Sequence, residues 1–446
     1  MIRRSLLEWR SLNHGDHPVE EIPEWAAERL AAAARSSPLA GAGGKRVLVH
    51  GRHDLRAQGV VGVVAAKDCS LEILPKIEGC GDGSDSESRG RLRERLVHML
   101  AVALDMKIDV GGGAAISWQR ETLLEILIGL FARKLADAVR RGLPRRYVAR
   151  EQDLTALRGR LDAVRQFTAL AASPQRLACR YDALSADIAL NRIMKAAVRR
   201  LTRLSRSVEN QRLLRELAFA YADVSPTSAA SLRFDDVVLD RTNARWRELL
   251  GLARLLLGDR FQTTTTGAAE GYALLFEMSP LFEEYVARTL SRGLASAGLT
   301  VKRQGGYRFC LTETLDDGTE KGRFQTIPDM LIQKGGRTLM VIDTKWKRLV
   351  RRIDDPKRGL AQTDVYQMIA YGRLYECPEL MLLYPWHDGL DADGDASRHY
   401  NVSRCEDRLS IATVDIARVT GIRTRLADLV LERLGLHRGI VSATGW

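Results

Sequence analysis

Two apolar runs, Met330-Leu331-Ile332 and Thr338 through Ile342, flank Lys334-Gly335-Gly336-Arg337. Paired glycines between strand-forming runs predict a tight hairpin. Pro328-Asp329 leads into the first strand and Asp343-Thr344-Lys345 ends the second. Side chains two apart on a strand share a face, so Asp343 and Lys345 point the same way. Asp329 joins them only if the turn has three residues or one strand bulges. A strict two-residue turn would put the aspartates on opposite faces.

Two carboxylates and a lysine so placed can serve phosphodiester hydrolysis. Hard Mg²⁺ takes oxygen ligands and keeps several waters, so one or two carboxylates and a substrate phosphate complete its shell. Asp329 and Asp343 are the candidate ligands. Lys345 can orient or deprotonate the attacking water and offset charge building on the phosphate. The competing reading is a pair of ordinary strand-end carboxylates.

Helices are predicted on either side of the hairpin. In Ser279-Pro280-Leu281-Phe282-Glu283-Glu284-Tyr285-Val286, Ser279 suits an N-cap and Pro280 a first helical position. Glu283 falls at the edge of the apolar arc, where a carboxylate needs solvent or a metal, and is an accessory acidic candidate. Glu284 lies four residues before Arg288, as an exposed ion pair requires. Beyond the lysine, Gln367 and Tyr371 share one helical face and can steady Lys345 or bind a phosphate. Gln367 could equally complete a capping box begun by Asp364, with Tyr371 in the core.

The rest of the chain bounds the alternatives. Its 446 residues and 45% hydrophobic content suit a folded protein of two or three domains. A net charge of +12, with arginine spread throughout, favours a polyanionic partner such as nucleic acid. The six cysteines form no CxxC pair and the eight histidines no zinc pattern. With no signal peptide or apolar run of transmembrane length, a cytoplasmic protein without a membrane partner is expected.

Residues 1–115 are expected to be β-rich, from runs such as Arg46 to His50, Val60 to Val64 and Leu71 to Pro75. Cys80 to Gly90 is small and polar, and reads as an exposed loop. Helical periodicity covers Arg91 to Leu104, Thr122 to Arg141, Asn191 to Leu204 and Asn243 to Leu257. A helical region, 116–267, is therefore expected to carry Arg133, Arg140, Arg141, Arg145, Arg146 and Arg150 on a solvated or partner-facing surface. The third domain spans 268–446. Gly43-Gly44-Lys45-Arg46 approaches a phosphate loop but lacks its Ser or Thr. Asp388 to Asp395 resembles a calcium loop without the closing glutamate, and reads as an exposed loop.

Glu283 on a leading helix, Pro328-Asp329, Asp343-Thr344-Lys345 and then Gln367 with Tyr371 resemble, in order, the PD-(D/E)xK nucleases of the RecB-like kind. Upstream, Leu71-Glu-Ile-Leu-Pro-Lys-Ile77, Leu123-Leu-Glu-Ile-Leu127 with Phe131-Ala-Arg133, Arg140-Arg-Gly-Leu143 leading to Tyr147, Leu157-Arg-Gly-Arg-Leu161, and Asp187 with Asn191-Arg-Ile193 resemble the McrC family. That family supplies the nuclease subunit of McrBC-type restriction systems, and the resemblance covers most of the chain.

The resemblance implies a multidomain α/β (α+β) protein. A β-rich amino-terminal domain that docks onto a hexameric McrB-like AAA+ GTPase and stimulates it would precede the helical region. A carboxy-terminal restriction-endonuclease-like domain, a mixed sheet flanked by helices, would follow. The implied activity is Mg²⁺-dependent cleavage of double-stranded DNA, often modified with methylcytosine, with GTP bound by the partner. Asp329, Asp343 and Glu283 become metal ligands, Lys345 the catalytic lysine, and Gln367 and Tyr371 its supports. A stand-alone DNA-repair nuclease and a non-catalytic GTPase-stimulating adaptor are the alternatives.

Overall fold

The computed structural model describes residues 2–17, 20–35, 37–40, 47–106, 121–173, 175–228, 231–241, 243–257, 271–349, 359–389 and 397–436. The phosphate-loop-like residues 43–46 and most of the acidic loop 388–395 lie outside the described residues. The chain divides into two compact units, Met1–Leu123 with Gln262–Trp446, and Leu124–Phe261.

The first unit opens with β1 (Ile2–Leu7), β2 (Ser11–His14), β3 (Glu21–Ile22), α1 (Glu24–Arg35), β4 (Leu48–His50), β5 (Asp54–Ala57), β6 (Val60–Ala66), β7 (Cys69–Leu74) and α2 (Ser86–Ala103). The β-rich expectation misses α1, an alanine-rich helix that buries Ala26, Ala27, Leu30 and Ala34. The loop expected over 80–90 is half wrong. Asp85 caps α2 by accepting from the N–H groups of Glu87 and Ser88, so residues from 86 onward are helical and Ser88 is buried.

The second unit contains α3 (Leu123–Arg140), β8 (Arg146–Leu154), β9 (Arg160–Leu161), α4 (Ala163–Phe167), β10 (Leu177–Ser185), α5 (Ala189–Leu204), α6 (Val208–Ala220) and α7 (Arg247–Leu257). β8, β10 and β9 form one antiparallel sheet. The helix expected from Asn243 begins as a 3₁₀ turn over 244–246 and becomes α-helical at Arg247.

The first unit resumes with β11 (Gly271–Glu277), α8 (Met278–Leu294), β12 (Thr300–Arg303), β13 (Arg308–Thr314), β14 (Glu320–Thr326), β15 (Met330–Lys334), β16 (Arg337–Thr344), α9 (Gln362–Tyr375), β17 (Glu379–Pro385), β18 (Ser397–Asn401), β19 (Arg408–Val414) and α10 (Ile422–Arg433). β11 closes the sheet β1-β7-β6-β11 and runs straight into α8. Gly62 permits that pairing, because a Cβ there would lie 2.0 Å from the Leu274 carbonyl oxygen.

A mixed six-stranded sheet, ordered β12-β15-β16-β17-β19-β18, forms the second half of this unit. β16 and β17 are parallel and joined through α9. Leu331, Val341, Leu380, Leu382, Leu409 and Ile411 share a core with Met368, Tyr371 and Tyr375 of α9. Met330, Ile332, Met340 and Ile342 have the opposite parity and are also fully buried, on the face where α8 packs. The chain is thus a mixed α/β protein with several sheets.

Candidate active site

The turn between β15 and β16 has two residues, Gly335 and Gly336, with φ of +57° and +84°. Such a turn needs φ > 0 at both positions, which glycine alone adopts freely. By itself it would separate the two aspartates. A bulge restores them: Ile332 pairs with Met340 but Gln333 with Thr338, leaving Leu339 unpaired. Met330 then lies opposite Ile342, and the same register sets Asp329 opposite Asp343.

Asp343 is 1% exposed, and its Oδ2 lies 2.6 Å from Lys345 Nζ. Lys345 Nζ also donates to Gln367 Oε1 at 3.2 Å, and Gln367 Nε2 donates to the Tyr371 hydroxyl at 2.7 Å. Gln367 therefore reaches the lysine, while Tyr371 reaches Gln367 and lies in the core, the other place its spacing allowed. No capping box forms, since the helix is capped at Ala361 and Asp364 pairs with Lys347.

Asp329 is oriented by Thr344, whose backbone N–H (2.7 Å) and hydroxyl (2.9 Å) both donate to Asp329 Oδ2. Gln304 bridges the next pair. Its backbone N–H donates to the Asp329 carbonyl at 3.0 Å and its side-chain amide to Glu283 Oε1 at 3.1 Å. Glu283 is half-buried on α8. That helix starts at Met278 with Glu277 as N-cap and no side-chain cap, so Ser279 is not the cap expected from sequence. Pro280 still lies in the first turn, where its missing N–H costs nothing. Glu284 pairs with Arg288 at 2.5 Å, as predicted, and also with Arg303.

The carboxylates perturb one another. Burial, then the charge of Asp329, pushes Asp343 up to about 6. Burial, then Glu283, raises Asp329, with Thr344 acting against the shift. Burial also raises Glu283, and Glu284 and Asp343 add to it. Burial alone would lower the Lys345 amine, but its hydrogen bond to Asp343 and the charges of Asp343, Asp364 and Asp329 hold it above the ordinary lysine range.

A site whose carboxylates resist ionisation together gains from a hard cation, and its donor set is all oxygen. Among the described residues, no three His, Cys, Asp or Glu side chains converge tightly enough to hold a metal alone. Mg²⁺ does not require three, because water and phosphate fill the rest of its shell.

Thr344 and Gln304 were missed by sequence reasoning. Thr344 alternates away from Asp343, so strand parity hides it. Gln304 carries no local signal beyond the glycines that follow it.

In the second unit, Glu125 and Asn191 of the upstream motifs act as buried anchors. Glu125 accepts from Ser205 Oγ (2.7 Å) and Asn210 Nδ2 (2.9 Å). Asn191 Nδ2 donates to the carbonyls of Pro144 and Ala186. Arg133, Arg140, Arg141, Arg145, Arg146 and Arg150 are all exposed. No described helix is long and apolar enough to cross a membrane.

A sequence model of the McrBC 5-methylcytosine restriction system component family matches residues 55–385. No curated protein matches. Among solved structures, the chain is similar to McrC in a half-complex from the tetradecameric assembly of Thermococcus gammatolerans McrB AAA+ hexamers with bound McrC. That likeness has 21% identity and a TM-score of 0.70, and covers 96% of this chain and 99% of the other. A cryo-EM structure of the Thermococcus gammatolerans McrBC complex is similar at 23% identity and a TM-score of 0.50, covering 69% and 89%. At these identities the likeness shows the fold.

Proposed function

Since the chain belongs to the McrBC 5-methylcytosine restriction system component family, we propose that it is the DNA-cutting subunit of a modification-dependent, GTP-driven restriction complex. It hydrolyses phosphodiesters of double-stranded DNA at a PD-(D/E)xK site, working with an McrB-like AAA+ GTPase hexamer in the cytoplasm. The similar McrC structure is bound to hexamers of that kind. Residues 1–115 would dock the partner and 268–446 would cut.

The observation that carries this reading is the bulged hairpin, which pairs Met330 with Ile342, the neighbours of Asp329 and Asp343, while Lys345 Nζ sits 2.6 Å from Asp343. Asp329 and Asp343, with Glu283 as the accessory carboxylate, would hold Mg²⁺. An ion held there would supply polarisation of the phosphoryl oxygen and a more acidic attacking water. Lys345 orients that water and offsets charge on the phosphate. Gln367 holds the ammonium, Tyr371 holds Gln367, and Thr344 fixes the aim of Asp329.

The test combines partner, GTP, Mg²⁺ and methylcytosine-bearing plasmid, following GTP turnover and DNA nicking together. Asp343→Ala should lose nicking and keep GTPase stimulation. Nicking that survives this substitution sinks the site.

A further inference from the structure

Glu8 follows β1, far in sequence from the residues assigned to cutting, yet its carboxylate reaches the loop that carries Lys345. Its Oε1 accepts from the indole N–H of Trp346 at 2.9 Å and from the backbone N–H of Lys76, just beyond β7, at 2.9 Å. Its own backbone N–H donates to the Leu74 carbonyl at 2.9 Å. Glu8 is 1% exposed, and burial lifts its carboxyl to about 7. A carboxyl is costly to bury, and a strand end has no need of one unless it holds something.

It holds Trp346, the neighbour of Lys345. The Trp346 ring packs on Phe282 with centroids 5.3 Å apart, and Phe282 is the neighbour of Glu283. One indole thus touches the chain beside the lysine and the helical turn carrying the accessory glutamate. Two residues further on, Arg348 pairs with Glu78 at 3.7 Å, a second tie between the loop leaving β16 and the chain leaving β7. On the other side, β11 of the amino-terminal sheet leads directly into α8.

We propose that Glu8 is a positioning residue, which fixes Trp346 and through it the placement of Lys345 and Glu283, so that the amino-terminal sheet sets the geometry of the cutting site. This rests on the nuclease reading of that site. A hydrogen bond to the indole locks the ring, and a locked ring fixes the backbone on both sides of the reacting centre. The acceptor matters and the charge does not. Glu8 Oε2 has no hydrogen-bond partner among the described residues, so a glutamine of the same shape can replace the carboxyl.

The experiment uses the full chain with partner, GTP, Mg²⁺ and methylcytosine-bearing plasmid, comparing Glu8→Ala, Glu8→Gln, Trp346→Phe and Asp343→Ala. Glu8→Ala and Trp346→Phe should lower kcat for nicking on the order of tenfold or more, the scale of a small misplacement of catalytic groups. KM for DNA and GTP turnover should stay at wild-type values, and Glu8→Gln should cut nearly as wild type. Wild-type kcat in Glu8→Ala or in Trp346→Phe overturns the inference. So does a Glu8→Gln enzyme as weak as Glu8→Ala, or a GTPase loss that parallels the nicking loss. Should Glu8→Ala fail to fold, Trp346→Phe and Glu8→Gln decide alone. If Asp343→Ala still nicks, the reading of the site falls and this inference with it. If Asp343→Ala is inactive while Glu8→Ala keeps full kcat, only the inference falls.

Discussion

The β13–β14 and β15–β16 hairpins are separated by residues 327–329, yet Leu311 in the first is 57% exposed and Leu331 in the second 1%. Among the described residues β13 and β14 pair only with each other, and Phe309, Leu311 and Phe324 are exposed. β15 and β16 are interior strands of the six-stranded sheet, packed against helices on both faces. A register slip in the first hairpin changes little burial. In the second it would drive Met340, Val341 and Ile342 out of their contacts. The carboxylate pair, which depends on one fixed register, is built into the hairpin that cannot slip.

Substitutions in the two hairpins should therefore differ in kind. The largest effect is expected from Asp343→Ala at the end of β16, a fall in nicking on the order of a thousandfold with GTPase stimulation intact, since it would remove one of the two proposed metal ligands. Next, Leu331→Ala should lower unfolding free energy by about 2–5 kcal/mol in denaturant titration, the usual cost of emptying a core leucine. Gln367→Ala removes a neutral partner of Lys345, and kcat should drop roughly tenfold.

A pH series sharpens the contrast further. Asp343 is raised to about 6, so at the proposed site a proton would compete with Mg²⁺ below that value. The Mg²⁺ concentration needed for half-maximal nicking should fall as pH rises through about 6 and then level off. Without metal the sign reverses for stability. A carboxyl raised by folding favours the folded state most at acid pH, and that contribution is lost as pH rises through about 6. The smallest effect belongs to the exposed hairpin, where Leu311→Ala should shift unfolding by no more than about 0.5 kcal/mol.

Much of the site was legible because its signals are local. The glycine pair, the parity of Asp343 with Lys345 and the helical spacing of Gln367 with Tyr371 each depend on a few neighbouring residues. Helix starts were less legible. Asp85 and Glu277 stand at the starts of helices that the polar run at 80–90 and the Ser279-Pro280 pair placed elsewhere: the Asp85 side chain caps α2 inside that polar run, and α8 begins directly where β11 ends.

Sequence alone determined the hairpin, the oxygen donors and lysine it carries, and the family to which the chain belongs. The tertiary structure decided the bulge at Leu339 that brings Asp329 to the face of Asp343. It also decided the hold of Thr344 on Asp329, the bridge of Gln304 to Glu283, and the bond from Glu8 to Trp346 across 338 positions of chain. Local patterns fix which face a side chain presents. Which distant group meets it depends on how the sheets and helices pack, and no short window of sequence contains that information.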